Sequence, residues 1–351
     1  MIITRTPFRI TLGGGGTDLP AYYRRHGGFA FAAGIDKYMF LCLNTPIVDD
    51  LIRVKYSESE MVADVGDVRH TLAREALLHF GIRNGVEIIS MADVPAGTGL
   101  GSSSCYLVGL LNALHTLCRR PATRRQLAEG ACRIELDILR KPIGKQDQYL
   151  AAFGGLTVLE IGRDGGVEVA EAALPPDVVE ELENNILLFY TGQSRSADEI
   201  LGAQRQRLSS DDEDLTQNLH LIKEIGREIL AQLRRGNTRR FGELLDDHWR
   251  AKRRLGEDVS NRRLDRLYQV ARDNGAIGGK ISGAGGGGFF LFYAEEGKKQ
   301  LRAVMEKEGL REMRFRFDLE GSKVLLDLLS GEQYRALNAR LATAAVSPEA
   351  G

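Results

Sequence analysis

The sequence predicts an α/β protein made of two domains. Over roughly the first 170 residues, segments rich in β-branched and aromatic residues alternate with segments of helical apolar spacing. Residues 197–273 then carry long amphipathic helices, and the chain returns to strand at "FFLFY". The length of 351 residues is more than one domain of ordinary size needs. These observations together favour two consecutive α/β domains.

The elements of the first half follow one another as strand and helix patterns. The chain opens on "MIITRTPFRITL", where alternating apolar and polar residues predict a strand and no signal peptide. Helices are expected near residues 104–117 and 124–139, and "RKPIGKQDQYLAAFGG" is expected to form a loop. Further strands are expected at "GGFAFAAGIDKYMFLCLN", "LIRVKYS", "VEIISMADVP" and "LTVLEI".

The second half begins with the strand pattern "NILLFYTG", which follows the turn residues "LPPD". After the long helices, strands are expected within "AIGGKISGAGGGGFFLFY", at "MRFRF" and at "KVLLDLL". We therefore expect an N-terminal domain over residues 1–180, a C-terminal domain over 181–330, and a C-terminal helix and tail over 331–351.

Composition argues against several classes of protein. The formal net charge is −1 and 27% of the residues are charged, so we expect neither nucleic acid nor membrane as a partner. The longest apolar run, near residues 105–117, is too short to span a bilayer. The four cysteines form no CxxC pair and the six histidines no HExxH motif, which argues against a protein-built zinc site. A reduced, cytoplasmic protein is the expectation, as a monomer or homodimer.

The segment "PAGTGLGSSS" has the composition of an anion site between a strand and a helix. Glycines let the backbone approach an anion closely, and the first amides of a helix lack internal partners and favour phosphate. The serines could instead simply cap the helix, and for this loop alone that alternative stays open. The candidate phosphate-binding residues are Pro95, Gly97, Gly99, Leu100, Gly101, Ser102, Ser103 and Ser104.

Common nucleotide motifs do not account for the other glycine clusters. No GxxxxGK[ST] sequence occurs, and "GAGGGG" at Gly283–Gly288 leads into a strand rather than a helix, which removes the context of a dinucleotide site. No HRD or DFG sequence of a protein kinase follows. A different family is needed to explain three glycine clusters in one chain.

From Thr6 to about Leu328 the sequence resembles the GHMP superfamily of small-molecule kinases, which includes galactokinase, homoserine kinase and mevalonate kinase. "TPFRITLGGGGTDLP", "PAGTGLGSSS" and "GGKISGAGGGG" resemble the three motifs of that family, in the same order. The resemblance implies a ribosomal S5 domain 2-like N-terminal domain and a ferredoxin-like C-terminal domain with added helices. It also implies ATP and Mg²⁺ at a cleft between them, with Gly283, Ala284 and Gly285 beside the phosphate loop.

Within the superfamily, "GGGTDLP", "IDKY" and "GKQDQY" are most similar to the kinases whose acceptor is a heptose 7-phosphate. This implies transfer of the γ-phosphoryl group of ATP to the C1 hydroxyl of D-glycero-D-manno-heptose 7-phosphate, giving the 1,7-bisphosphate for nucleotide-activated heptose. Gly15 and Gly16 stand where galactokinases carry Glu-His, which argues against galactose. Another sugar (octose 8-phosphate or fucose) and a catalytically silent sugar and ATP sensor remain alternatives.

The resemblance also assigns catalytic and metal-binding roles. Asp147 matches the acid that acts as base toward the attacking hydroxyl, although an isolated Asp is more often a turn or cap residue. Arg9 matches the cation beside that base and the transferring phosphoryl group, with a surface arginine as the alternative. Ser103 and Glu135 are the expected Mg²⁺ ligands, although Glu135 alone would be interpreted as a solvated helix acid.

The remaining candidates concern the sugar phosphate substrate. Asp18 is expected to accept hydrogen bonds from sugar hydroxyls, or alternatively to cap the helix that follows. A loop at Ser194–Arg195 before a helix is the preferred seat for the distal phosphate. Lys37 and Lys55 are other candidates for that phosphate, but for each of them a solvated cation is the favoured interpretation. The full set of substrate candidates is Gly15, Gly16, Thr17, Asp18, Lys145, Gln146, Ser194 and Arg195.

Overall fold

Two β-sheets with helices packed on them form the protein, in a computed structural model that describes residues 1–193 and 197–335. The alternation of strands and helices in the first half is as the sequence predicts. The strands are β1 (Ile2–Gly14), β2 (Gly28–Asn44), β3 (Ile52–Lys55), β4 (Ser59–Val62), β5 (Val86–Ala92), β6 (Leu156–Ile161), β7 (Val167–Glu171), β8 (Ile186–Tyr190), β9 (Gly278–Ile281), β10 (Phe289–Tyr293), β11 (Arg311–Met313) and β12 (Lys323–Asp327).

The helices cover the sheets and connect them. Short 3-10 segments occur at Val65–Asp67 and Glu257–Val259, and a π-helical turn at Arg133–Ile138. The α-helices are α1 (Pro20–His26), α2 (Thr71–His79), α3 (Ser102–Leu117), α4 (Arg124–Cys132), α5 (Gln146–Phe153), α6 (Pro176–Asn185), α7 (Ala197–Ser209), α8 (Glu213–Arg234), α9 (Thr238–Arg253), α10 (Arg262–Asp273) and α11 (Lys298–Lys307).

The first sheet has eight strands, in the order β12-β1-β2-β5-β3-β4, with β6 pairing β2 and β7 pairing β6. β1 and β2 form a long antiparallel pair, and β3 and β5 are parallel. The strand β12 comes from the end of the described chain yet pairs with β1. The division into residues 1–180 and 181–330 therefore stays a prediction, and the segment 323–327 joins the sheet of the N-terminal half.

The second sheet is antiparallel, in the order β11-β8-β10-β9. β10 carries Phe290 and Phe292 into a core that it shares with Trp249 of α9, and all three side chains are fully buried. The alternation of large apolar residues on β10 thus anchors the long helices on this sheet. That packing positions α9 and β9 side by side, where they meet the first sheet.

Two elements of the sequence analysis differ from the structure. The strand expected at "MRFRF", residues 313–317, overlaps β11 (Arg311–Met313) only at Met313. The segment "RKPIGKQDQYLAAFGG", expected as a loop, contains the helix α5. Its polar start, "GKQDQ", suggested a turn, but Tyr149 and Leu150 are buried against the first domain, and tertiary packing of this face outweighs the weak local preference. Helices α2, α6 and α11 were not predicted either.

Candidate active site

A cavity of about 830 Å³ lies between the two sheets, bordered by Arg9 of β1 on one side and Lys280 of β9 on the other. The three glycine-rich segments, far apart in sequence, all reach it. Its wall includes the predicted residues Gly15, Gly16, Asp18, Pro95, Gly97, Gly99, Gly101, Ser102, Ser103, Ser104, Gln146, Asp147, Gly283 and Ala284, together with Arg9.

The glycine-serine loop connects β5 to α3 in a conformation that other residues disfavour. Gly99 and Gly101 have φ of +80° and +85°, in the left-handed region that favours glycine. A Cβ atom at Gly99 would lie 2.6 Å from the carbonyl oxygen of Ser282, so a side chain there would push the loop away from the third glycine segment. The loop is thus held close against that segment by two residues without side chains.

The serines do not cap α3, so the capping alternative is wrong. The N-cap residue is Gly101, and no side chain makes a capping hydrogen bond at this end of the helix. The hydroxyl of Ser102 is buried without a hydrogen-bond partner among the described residues. A buried polar atom without a partner is costly, and with the free amides of the first turn it fits a phosphate group of a nucleotide.

Arg9 and Asp147 form a bidentate ion pair at the edge of this loop. Arg9 Nε donates to Asp147 Oδ1 at 2.7 Å, and its Nη2 donates to Oδ2 at 2.8 Å. Its Nη1 donates to the carbonyl oxygen of Gly99 at 2.6 Å. The guanidinium is 5% exposed and the carboxylate 29%. A nearly buried cation therefore fixes an accessible carboxylate next to the phosphate loop.

Asp18 and Gln146 form a buried polar pair deeper in the cavity. The backbone N–H of Gln146 donates to Asp18 Oδ2 at 3.0 Å, and its side-chain Nε2 donates to Thr11 Oγ1 at 2.7 Å. Burial raises the pKa of Asp18, and the nearby charge of Asp147 adds to the effect. The N-cap of the helix after Asp18 is Leu19, so the capping alternative for Asp18 is wrong.

Glu135 lies behind the serines, in the π-helical turn, and is fully buried. Its carboxylate accepts hydrogen bonds from Ser103 Oγ at 2.9 Å, Ser104 Oγ at 2.8 Å and Gln148 Nε2 at 2.7 Å. Lys141 Nζ is 3.5 Å away. The interpretation of Glu135 as a solvated helix acid is wrong.

The Ser103 hydroxyl and the Glu135 carboxylate fit Mg²⁺, but only in a site where phosphate and water oxygens supply the other ligands. In the described part of the chain, no three Asp, Glu, His or Cys side chains come together as a metal-binding group. Mg²⁺ in phosphoryl-transfer enzymes is typically held by one or two protein oxygens, with phosphates and water completing the octahedron. The Ser103 hydroxyl lines the cavity and could supply one such oxygen, with Glu135 directly behind it.

Some predicted residues that the structure describes lie outside the cavity wall. The Thr17 hydroxyl bonds both backbone polar groups of Phe29, and the carbonyl of Leu100 accepts from the backbone N–H of Arg9. Gly285 packs against Val259. These three support the walls instead of lining them.

Lys145 is turned away from the other candidates. Its ammonium donates to the carbonyl oxygen of Gly165 and faces the ring of Tyr23, in a second cavity. The difference follows from the unpredicted helix α5, because consecutive residues at a helix start point about 100° apart. The structure therefore brings Gln146 and Asp147 to the site and not Lys145.

The residues proposed to bind the distal phosphate of the substrate differ in what the structure shows of them. Ser194 and Arg195 lie outside the described residues, so that assignment stays a prediction. Lys37 forms an ion pair with Asp36, and Lys55 one with Glu87. Each of these two lysines already has a carboxylate partner, which agrees with the interpretation as solvated cations.

Three basic residues of the cavity wall were missed by the sequence analysis. Lys252 and His248 belong to α9 and Lys280 to β9, and all three are buried. Burial lowers the pKa of Lys252 to about 7, and the charge of Arg9 contributes. Burial also holds the pKa of Lys280 and that of His248 well below their usual ranges. The sequence did contain one signal for these residues, since Lys280 is a lysine within a segment whose composition predicts a buried strand.

Comparison with known proteins places this geometry in a family. The models for the GHMP kinases N terminal domain and the GHMP kinases C terminal domain match residues 68–155 and 229–309. The D-glycero-alpha-D-manno-heptose 7-phosphate kinase of Campylobacter jejuni is 31% identical over 337 residues, covering 92% of this chain and 98% of that protein. The chain therefore belongs to the GHMP kinases, a class of ATP-dependent phosphotransferases with an alcohol acceptor.

Two further similarities are to a sugar kinase and to a solved structure. A bifunctional fucokinase/GDP-fucose pyrophosphorylase of Arabidopsis thaliana is 25% identical over 331 residues, which is 86% of this chain and 31% of that protein. The crystal structure of a D-glycero-D-manno-heptose 1-phosphate kinase from Bacteriodes thetaiotaomicron superposes with a TM-score of 0.76 at 23% identity, covering 94% of this chain and all of that one. The two-domain fold expected from the sequence is confirmed.

The helices give no indication of a membrane span. Within residues 1–193 and 197–335, none combines the length and the apolar character that crossing a bilayer requires. α3 is the most apolar long helix, and it is buried inside the first domain, where Thr4 of β1 donates to the carbonyl oxygen of Gly109 at 3.0 Å.

Proposed function

We propose that this kinase transfers the γ-phosphoryl group of ATP to the C1 hydroxyl of D-glycero-D-manno-heptose 7-phosphate. The observation that carries the proposal is the Arg9–Asp147 pair, whose partly exposed carboxylate faces a cavity of about 830 Å³ beside the phosphate loop. The similarity to a heptose 7-phosphate kinase over nearly the whole chain supports this acceptor. The product would be the 1,7-bisphosphate, with ADP as the second product.

In this proposal Asp147 orients the anomeric hydroxyl and takes its proton. The hydroxyl oxygen forms the new bond to the γ-phosphorus, the bond from that phosphorus to the bridging oxygen breaks, and ADP keeps the electron pair. Arg9 fixes both carboxylate oxygens and supplies positive charge where negative charge gathers. The anomeric hydroxyl is more acidic than an ordinary alcohol, so a single carboxylate suffices as its base.

We propose that the loop Pro95–Ser104 and the third glycine segment hold the triphosphate, with Ser103 and Glu135 as the protein oxygens for Mg²⁺. When bound, Mg²⁺ would neutralise charge on the phosphate oxygens. The unpartnered hydroxyl of Ser102 and the left-handed backbone of Gly99 and Gly101 support this assignment. Gly15, Gly16, Asp18 and Gln146 are the proposed sugar-binding residues on the opposite wall.

Ser103→Ala is expected to raise the Mg²⁺ concentration for half-maximal activity by about tenfold or more, since even indirect partners of a metal ligand contribute that much to affinity. Magnesium titrations of the steady-state rate at saturating ATP measure the change. Ser209→Ala, in an exposed helix position where the hydroxyl only contacts the carbonyl of Arg205, is the matched control. An unchanged magnesium requirement in the Ser103 variant would remove Ser103 from the metal site.

The acceptor is tested by a coupled ADP-release assay with matched sugars. D-glycero-D-manno-heptose 7-phosphate is expected to give the highest kcat/KM, and the same heptose without its phosphate at least about tenfold less, because a charge-assisted phosphate contact contributes roughly 1.5–3 kcal/mol. Fucose is the second candidate acceptor, supported by the similarity to a fucokinase. A higher kcat/KM for fucose or for the unphosphorylated heptose would reject the heptose phosphate.

We further propose that the enzyme acts in the cytoplasm as a monomer or homodimer, with the domain division at about residue 180. The net charge of −1 supports a small-molecule acceptor over nucleic acid. Arg195 remains the proposed contact of the distal phosphate, and Arg195→Ala should reduce the preference for the phosphorylated heptose.

A further inference from the structure

Two buried lysines line the cavity on the side of the second domain. Lys252 extends from α9 and Lys280 from β9, and they are 9% and 2% exposed. Among the residues that the structure describes, no carboxylate lies within 4.0 Å of either ammonium group, and the Asp147 carboxylate in the same cavity accepts from Arg9 with both of its oxygens. Lysine is almost never buried to this degree without a partner.

Hydrogen bonds within the protein satisfy these ammonium groups only in part. Lys252 Nζ donates to the carbonyl oxygens of Ile281, at 2.9 Å, and Gly283. Within residues 1–193 and 197–335, the one hydrogen-bond contact of Lys280 Nζ is His248 Nε2 at 3.4 Å, and that nitrogen also lies 2.9 Å from the carbonyl oxygen of Gly14. If His248 Nε2 donates to Gly14, it cannot accept from Lys280. The Lys280 ammonium, with three N–H groups, is then left without an acceptor in the described part of the chain.

The charged groups that shift the pKa of the two lysines are cations. Burial is the larger cause of both lowered values; repulsion from Arg9 adds to it for Lys252, and repulsion from Lys252 and Arg9 adds to it for Lys280. The pKa of His248 is lowered as well, so its imidazole is neutral at physiological pH and adds no further positive charge. Keeping a buried cation unpaired is strongly unfavourable. A cavity wall that keeps two of them is suited to receive an anion.

We propose that Lys252 and Lys280 form a buried phosphoryl-binding subsite. The inference rests on the proposed function, because it requires that a phosphoryl group enters this cavity. That group is either the γ-phosphoryl of the nucleotide or the phosphate of the acceptor. Lys252 touches the third glycine segment at Gly283, and Lys280 lies next to His248 and Gly14 of the sugar side. The subsite thus lies between the two proposed substrates and places two point charges on the phosphoryl oxygens.

The test uses Lys280→Met and Lys252→Met, which keep the side-chain length and remove the charge. Calorimetric titrations with inorganic phosphate, a nonhydrolysable ATP analogue with Mg²⁺, heptose 7-phosphate and unphosphorylated heptose compare both variants with the unmodified protein. At least one probe that carries a phosphoryl group should bind the variants at least about tenfold more weakly, since a charge-assisted contact is lost. A loss for the ATP analogue identifies the γ-phosphoryl, and a loss for heptose 7-phosphate but not heptose identifies the acceptor phosphate.

Proton uptake on ligand binding is a second measurement, and a lysine with a purely structural role would not contribute to it. At about pH 8, above the pKa of Lys252, the free side chain is largely neutral, and a bound phosphoryl group restores its charge, so binding takes up protons. Titrations in two buffers of different ionisation enthalpy measure this uptake. It should shrink in Lys252→Met, and the part that Lys252 contributes should vanish well below pH 7, where this lysine is already charged.

Lys223→Met is the matched control. Lys223 is also a buried lysine, 8% exposed, but its ammonium donates to the carbonyl oxygens of His26 and Gly27, and it does not line the cavity. Thermal unfolding should show Lys280→Met at least as stable as the unmodified protein, because a buried amine without a good acceptor is removed, whether or not it carries a charge. Binding of all phosphoryl probes within twofold of the unmodified protein in both variants, or a folded Lys280→Met whose only defect is lower stability, would overturn the subsite. Inorganic phosphate and the ATP analogue test it even if heptose 7-phosphate proves not to be the acceptor.

Discussion

Replacing Asp147 with asparagine is expected to lower kcat by about one hundred to ten thousand fold, the range typical of a positioned general base. Asparagine preserves the size of the side chain and one of the two oxygens that accept from Arg9, but it cannot take the proton of the sugar hydroxyl. The affinity for a nonhydrolysable ATP analogue should stay within about threefold, because Asp147 contacts Arg9 and Gln146 rather than the loop backbone. Steady-state kinetics and calorimetry give the two quantities.

The control for this variant is Asp177→Asn, an equally conservative change at an exposed acid in the first turn of α6. It should leave kcat unchanged. A kcat within threefold of the unmodified protein in Asp147→Asn would remove the acid from the chemical step. A parallel loss of ATP-analogue affinity would instead indicate that the Arg9–Asp147 pair acts mainly by holding the loop, through the contact of Arg9 with Gly99.

Gly101→Val is expected to reduce kcat/KM for ATP by about one hundredfold or more. Gly101 has φ of +85°, and holding a β-branched residue there costs roughly 1–3 kcal/mol. Its Cβ atom would also lie 3.3 Å from Asp147 Oδ2, so the new side chain presses on the carboxylate while it fills space that a phosphate needs. Both effects act at the same place, and both lower the rate.

Gly236→Val separates backbone strain from damage to the site. Gly236 has φ of +82°, and nothing lies within 4 Å of a Cβ atom built there. It should lose stability in urea denaturation to a similar extent but keep its kcat/KM for ATP once folded. Equal kinetic losses in the two variants would show that strain alone, and not the phosphate loop, accounts for the Gly101 phenotype.

The phosphate loop could be predicted because its information is local. A strand, alternate glycines, serines and an apolar helix occur within about thirty residues, and each has a backbone preference that the neighbours reinforce. The Arg9–Asp147 pair is different, since the two residues are 138 positions apart. No periodicity brings them together, and only the family resemblance paired them.

The features that the sequence analysis missed also depend on contacts between segments that are distant in the sequence. Lys252 stands in "HWRAKRR", which in sequence is the exposed face of a basic helix; its burial depends on where α9 crosses β9. Lys145 was expected at the site because it precedes Asp147, but the helix α5 turns it toward Gly165. The return of β12 to pair with β1 is likewise set by long-range packing, which strand propensity does not encode.

The central claim is that the anomeric hydroxyl of a heptose 7-phosphate receives the phosphoryl group, and phosphorus NMR of the reaction mixture tests it most directly. With ATP, Mg²⁺ and D-glycero-D-manno-heptose 7-phosphate, the account predicts one new sugar phosphate resonance, coupled to the anomeric proton, that grows in step with ADP while the 7-phosphate resonance persists. A new phosphate coupled to the protons of another carbon, or ADP that forms with inorganic phosphate and no sugar product, would contradict it.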